Sequence, residues 1–195
     1  MATTIWRLTG SAALIFILLL SSTIATAATW QPESIVVFGD SLSDNGNEYA
    51  QNQLPASPPY WHGRYSNGPV WIEYLAHLYQ FIPAPKDNPD YKRNGRLRDH
   101  AFGGAVLWDK DIGKQQTLTL SDQIKEYLHT PHDNPDNTLA IIMIGANDFE
   151  APACYSAKIN CIKTLLRIQR QQLDRLHDAG ILHVVLFTVP DISIT

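Results

Sequence analysis

The 195-residue sequence predicts an α/β fold built on a parallel sheet covered on both faces. Short apolar runs of strand length end abruptly in glycine or proline, at 35–38 (IVVF), 139–144 (LAIIMI) and 181–189 (ILHVVLFTV). Stretches with helical apolar spacing lie between them. A hydrophobic content of 45% is enough to bury one core, so a single domain is expected and disorder is not.

Taken in order, residues 1–27 carry Arg7 as the early side-chain cation, the apolar run AALIFILLL (12–20) and the small-residue ending Ala25-Thr26-Ala27. That is the pattern of a cleaved secretory signal peptide. The run is short for a membrane span, and nothing later is longer and as apolar. The mature chain is therefore expected from about Ala28, secreted or periplasmic, without a transmembrane anchor. An uncleaved N-terminal anchor is the alternative reading.

The run 35–38 forms the first strand, and the Pro-, Gly- and Asn-rich stretch 53–69 a long loop. Residues 69–80 place Val70, Trp71, Tyr74, Leu75 and Leu78 at helical spacing, with Pro69 near the start. Another loop spans 83–95. A short strand then leads into Ala101-Phe102 and stops at Gly103-Gly104. Residues 121–129 predict a helix with Ser121 as N-cap. The run 139–144 is a strand ending at Gly145. Residues 157–179 form a long helix carrying Ile162, Leu165, Leu166, Ile168, Leu173 and Leu176, stopped by Gly180. The last run, 181–189, reads as a strand buried on both faces and ends at Pro190.

Net charge is −4, and removing Arg7 makes it one unit more negative. No basic stripe exists, so nucleic acid is not an expected partner. Cys154 and Cys161 are the only cysteines: a disulfide closing a small loop, or two free thiols, with export favouring the disulfide. Metal and cofactor signatures are missing. There is no H-E-x-x-H and no phosphate-binding loop. An EF-hand aligned on Gly46 fails because Ser41 and Asn52 occupy positions that need acids.

Ligands on open parallel sheets sit at the carboxyl ends of the strands. Three polar stretches fall there: GDSLSDNGN after the first strand, Gly103-Gly104-Ala105, and GANDF at 145–149. A serine hydroxyl attacks an acyl carbon only when a base takes its proton and an oxyanion hole receives the charge. Ser41 offers the hydroxyl and its own N–H. Gly104 offers an unobstructed backbone N–H, and Asn147 an amide donor. Singly, each has an ordinary reading: a turn serine, a tight glycine turn, an N-cap Asn-Asp pair. Their convergence on successive strand ends outweighs those readings. The α/β-hydrolase elbow G-x-S-x-G is disfavoured, because Ser43 stands where its second glycine belongs.

The chain resembles the SGNH or GDSL family of serine esterases and lipases. Gly39-Asp40-Ser41-Leu42 and the following Ser-Asp-Asn-Gly-Asn resemble its first block. Residues 63–75 (GRYSNGPVWIEYL) resemble a segment of its lipase-like members. Residues 101–105 (AFGGA) resemble the second block, and Gly145-Ala146-Asn147-Asp148 the third. The resemblance implies a three-layer α/β/α sandwich of the flavodoxin-like type. It implies Ser41 as nucleophile, Gly104 (in preference to Gly103) and Asn147 as oxyanion hole, and no cofactor. Asp40 and Asp44 are expected to shape the nucleophile turn. The implied substrates are acyl esters, with the secreted phospholipase, lysophospholipase and acyltransferase subgroup preferred.

The resemblance also places the base in an Asp-x-x-His block after a further strand. Asp174-Arg175-Leu176-His177 matches in form only. It lies near the end of the helix that feeds the last strand, on the rim opposite Ser41, where Asp174 and His177 are spaced to pair with each other. His100 lies close to the glycine turn with no evident orienting acid. Residues 28–195 are therefore expected to be a hydrolase domain lacking its C-terminal strand and helix. Its complete form would hydrolyse esters. The alternative is an inactive remnant that only binds ligands or partners.

Overall fold

Strand β1 (Ser34–Gly39) sits between β2 (Leu97–Asp99) and β3 (Thr138–Met143), with β4 (His183–Leu186) beyond β3. This is seen in the computed structural model, which describes residues 30–82, 96–108, 118–130, 134–150, 154 and 158–189. The order is β2-β1-β3-β4 and every pairing is parallel, so all carboxyl ends share one rim. The register runs from Ser34↔Thr138 to Gly39↔Met143, whereas β2 follows β1 only as far as Val37↔Asp99.

Four helices complete the described fold: α1 (Asn47–Asn52), α2 (Trp71–Leu78), α3 (Leu120–His129) and α4 (Lys158–Asp178). Side chains alternate across a strand. Ile35 and Val37 therefore meet Ile72 and Ala76 of α2 on one face of the sheet. Val36 and Phe38 meet Ile124 and Tyr127 of α3, and Leu165 and Leu176 of α4, on the other. The result is the three-layer α/β/α sandwich. Full burial of such a side chain stabilises by about 1.5–3 kcal/mol. Among the described residues no helix is long and apolar enough to cross a membrane.

Two expectations are corrected. Thr119, not Ser121, is the N-cap of α3. Thr119 Oγ1 accepts the Asp122 N–H at 3.2 Å, and Asp122 Oδ2 accepts the Thr119 N–H at 3.0 Å. This reciprocal box starts the helix earlier and buries Leu120 in its first turn. The last strand is also not buried on both faces. Among the described residues β4 pairs only with β3, and Val184, Val185 and Leu186 are 36%, 41% and 44% exposed. Its apolar sequence anticipates neighbours that the described residues do not supply.

Gly180 does stop α4. At φ +88° it lets the Ile181 N–H reach the Leu176 carbonyl at 3.0 Å and its own N–H reach the His177 carbonyl at 2.9 Å. Cys154 and Cys161 form a disulfide. The expected signal peptide over 1–27, the loop at 83–95 and Pro190 lie outside the described residues.

Candidate active site

The turn after β1 is closed by the Asp40 carbonyl, which accepts the Ser43 and Asp44 N–H groups, each at 3.0 Å. The Asp40 carboxylate accepts the Leu42 N–H at 3.0 Å. Ser41 stands between these bonds, partly exposed. Neither its hydroxyl nor its N–H is hydrogen-bonded to another described residue.

Asp44 is fully buried and holds the turn from within. Its carboxylate accepts the backbone N–H groups of Gly46, Asn47 and Glu48 at 2.7, 2.5 and 3.1 Å, and that of Gly103 at 2.9 Å. Burial pushes this carboxyl above its ordinary value, and the four N–H donors oppose the shift. The end of β2 is fastened to the same turn. Asp99 accepts the Asn45 and Ala101 N–H groups at 3.1 and 2.9 Å, and Asn47 Nδ2 donates to the Asp99 and Ala101 carbonyls. Burial first, then the charge of Asp44, raises the Asp99 carboxyl well above its usual range.

The glycine pair forms a turn in which the Ala105 N–H donates to the Phe102 carbonyl at 3.0 Å. Gly104 occupies its third position at φ +72°, a conformation such turns demand there and side chains resist. Gly103 N–H is committed to Asp44. Gly104 is exposed, and its N–H donates to no described residue.

After β3 the chain makes a 3-10 turn over Asn147–Glu150. One hydrogen of the Asn147 amide goes to the Ala105 carbonyl at 2.8 Å. Asp148 accepts the Leu107 and Trp108 N–H groups, both at 2.9 Å. Burial raises the Asp148 carboxyl to about 6, the two N–H bonds oppose the rise, and the charge of Asp40 adds to it. The glycine turn is thus clamped by Asp44 from the first strand end and by Asn147 and Asp148 from the third. The donors singled out from the sequence, the N–H groups of Ser41 and Gly104 and the second hydrogen of the Asn147 amide, have no acceptor among the described residues.

Neither histidine singled out from the sequence is hydrogen-bonded to Ser41. His177 lies in the last turn of α4, before the amino end of β4, and pairs with Asp178 at 3.8 Å rather than with Asp174. His100 has an acid after all. Its Nδ1 lies 3.5 Å from Glu126 of α3, and its ring stacks on Phe38 and meets Tyr127 edge-on.

Three contributors are not evident in the sequence. Gln123 of α3 bonds both backbone groups of Gly39. The sequence signal is a polar residue on the helix face that also carries Leu120, Ile124 and Tyr127. Glu48 accepts the Tyr65 hydroxyl at 2.7 Å against the glycine turn, and burial raises the pKa of both groups. Arg64 pairs with buried Glu73 at 2.8 Å, tying the 53–69 loop to α2.

Residues 35–195 match the family described as GDSL-like Lipase/Acylhydrolase. The chain is 32% identical to the phosphatidylcholine-sterol acyltransferase of Aeromonas hydrophila over 82% of this chain and 45% of that protein. It is 32% identical to the thermolabile hemolysin of Vibrio parahaemolyticus over 84% of this chain and 36% of that protein. The secreted effector protein SseJ of Salmonella typhimurium is 28% identical over 83% of this chain and 36% of its own. The chain thus spans less than half the length of these relatives. With a parallel sheet that brings the three motifs to one rim, and a family match over nearly all the described residues, the chain belongs to the GDSL-like lipase/acylhydrolase family.

Proposed function

We propose that this chain carries the nucleophile and oxyanion hole of a serine ester hydrolase. Ser41 Oγ bonds to the ester carbonyl carbon and gives its proton to a base. The carbonyl oxygen becomes an oxyanion facing the N–H groups of Ser41 and Gly104 and the Asn147 amide. The leaving alcohol departs with a proton, and water then releases the acyl group from Ser41. One observation carries the reading: a serine hydroxyl and three N–H donors, none bonded to another described residue, lie on one rim of the sheet.

A lipid ester is the preferred substrate. A cavity of about 340 Å³ lined by Leu107, Ile144, Phe149, Leu165, Leu186 and Phe187 lies at the carboxyl ends of β3 and β4 and suits an apolar acyl group. The name of the Aeromonas relative, which specifies phosphatidylcholine, agrees with that choice. Export is part of the same proposal, and the Cys154–Cys161 disulfide supports an oxidising compartment.

A fluorophosphonate probe tests the mechanism. The wild type is expected to be labelled and Ser41→Ala to be unlabelled with its fold intact by circular dichroism. One observation favours a second reading, the inactive remnant. Ser41 Oγ is hydrogen-bonded to no histidine among the described residues. A folded wild type that never labels would establish that reading instead.

A further inference from the structure

Gly39 is the last residue of β1 and precedes Ser41 by two positions. A Cβ built there would lie 2.8 Å from the Met143 carbonyl oxygen, so β1 and β3 close on each other at this point. On the other side β2 has already ended, because Asp99 pairs with Val37. The last backbone groups of β1 therefore run past their neighbouring strand.

Gln123 takes over there. It is 1% exposed. Its Oε1 accepts the Gly39 N–H at 2.9 Å, and its Nε2 donates to the Gly39 carbonyl at 2.8 Å. One side-chain amide thus satisfies the donor and the acceptor of one residue, as a paired strand would. The Phe102 N–H adds a second bond to the same carbonyl at 3.1 Å, from the segment leading into the glycine turn. The helix bearing Gln123 is fixed by other means: buried Leu120, Ile124 and Tyr127, and the Thr119–Asp122 cap. Gln123 is therefore a rigid outside reference for the point where the strand becomes the Ser41 turn.

We propose that Gln123 is a positioning residue for Ser41, acting through Gly39 without touching the reacting atoms. This rests on the reading of Ser41 as nucleophile. Near-attack geometry is sensitive to shifts of about 1 Å, which cost on the order of a hundredfold in rate. Loss of the amide should therefore slow bond formation at Ser41 while leaving probe binding unchanged.

The experiment measures fluorophosphonate inactivation of wild type, Gln123→Met and Gln123→Glu, separated into the binding constant and the bond-forming rate constant. Gln123→Met is expected to lower the rate constant by about tenfold to a hundredfold with the binding constant unchanged. In Gln123→Glu the new carboxyl presents both an acceptor and an O–H donor only when protonated. Its rate relative to wild type should therefore recover as pH falls, a profile that a purely structural role does not produce. If Gln123→Met is too unstable to measure, the Gln123→Glu ratio decides alone. Equal rate constants in labelled wild type and variants, or a pH-independent Gln123→Glu ratio, would overturn the inference while leaving Ser41 as nucleophile. A wild type that never labels overturns both.

Discussion

Asp44 accepts the Gly103 backbone N–H at 2.9 Å, so the turn bearing Ser41 and the turn bearing Gly104 share one buried carboxylate. Adjacent glycines thereby take different roles. The first has its donor committed to Asp44, and the second is exposed and donates to no described residue. That division supports Gly104 rather than Gly103 as the oxyanion donor. The same carboxylate orders the turn from Gly46 to Glu48, so the geometry of both turns depends on one side chain.

Asp44→Ala should therefore be severely destabilising. It leaves four backbone N–H groups without their acceptor, and each buried orphan costs about 1–3 kcal/mol where water cannot reach it. Partial hydration reduces the sum, and a loss of about 4 kcal/mol is expected in urea unfolding. Asp44→Asn keeps one acceptor oxygen and should lose roughly half as much. An Asp44→Ala midpoint equal to that of wild type would show that the carboxylate does not hold the two turns together.

The glycines should also respond differently to alanine. At Gly103 a Cβ would fall 1.7 Å from Glu48 Oε2 and 2.6 Å from Tyr65 Cε2. The Glu48–Tyr65 bond fixes both neighbours, so Gly103→Ala must displace that pair, at a cost of about 2–3 kcal/mol. At Gly104 no atom lies within 4 Å of the added carbon, and only the positive φ resists. Gly104→Ala should then cost about 1 kcal/mol. Urea midpoints with unchanged slopes compare the two. The reverse ranking would contradict the packing described around Gly103.

These contacts show where sequence reasoning succeeds and where it stops. Val36 and Phe38 against Ile35 and Val37 declare a strand with two apolar faces, and the helical stripe of α4 declares the burial of Leu165 and Leu176, while Ile162 and Leu166 of the same stripe stay exposed. The strand ends, and the polar residues collected on them, follow from those patterns. Local competition is less legible. Thr119 outcompetes Ser121 as cap because Asp122 completes its box and Leu120 gains a buried site. The partners of Gly39 and Gly103 are not evident either. Gln123 and Asp44 reach them across 84 and 59 positions, contacts that tertiary packing alone determines. β4 departs from expectation for a related reason: its composition reports the burial it suits, and pairing on one side does not supply it.

Stability should fall as the pH rises from mildly acidic to alkaline. Asp40, Asp44, Glu48, Asp99 and Asp148 all have carboxyls raised by burial. A carboxyl raised on folding holds its proton in the native state at pH values where the unfolded chain has released it. The native state then binds more protons, and stability declines as pH rises through that interval. For Asp148 the interval runs from 3.8 to about 6 and corresponds to about 3 kcal/mol of stability, present below it and lost above it. Urea unfolding of the wild type should therefore show a higher midpoint at pH 5 than at pH 8. Asp148→Asn, which cannot ionise, should flatten the part of that slope below pH 6. It should also weaken the Leu107–Trp108 clamp, because its single oxygen replaces two acceptors. A wild type more stable at pH 8 than at pH 5 would mean that these carboxylates are better solvated or paired than their burial indicates. The clamp on the glycine turn would then be a permanent ion rather than a group that titrates near neutrality.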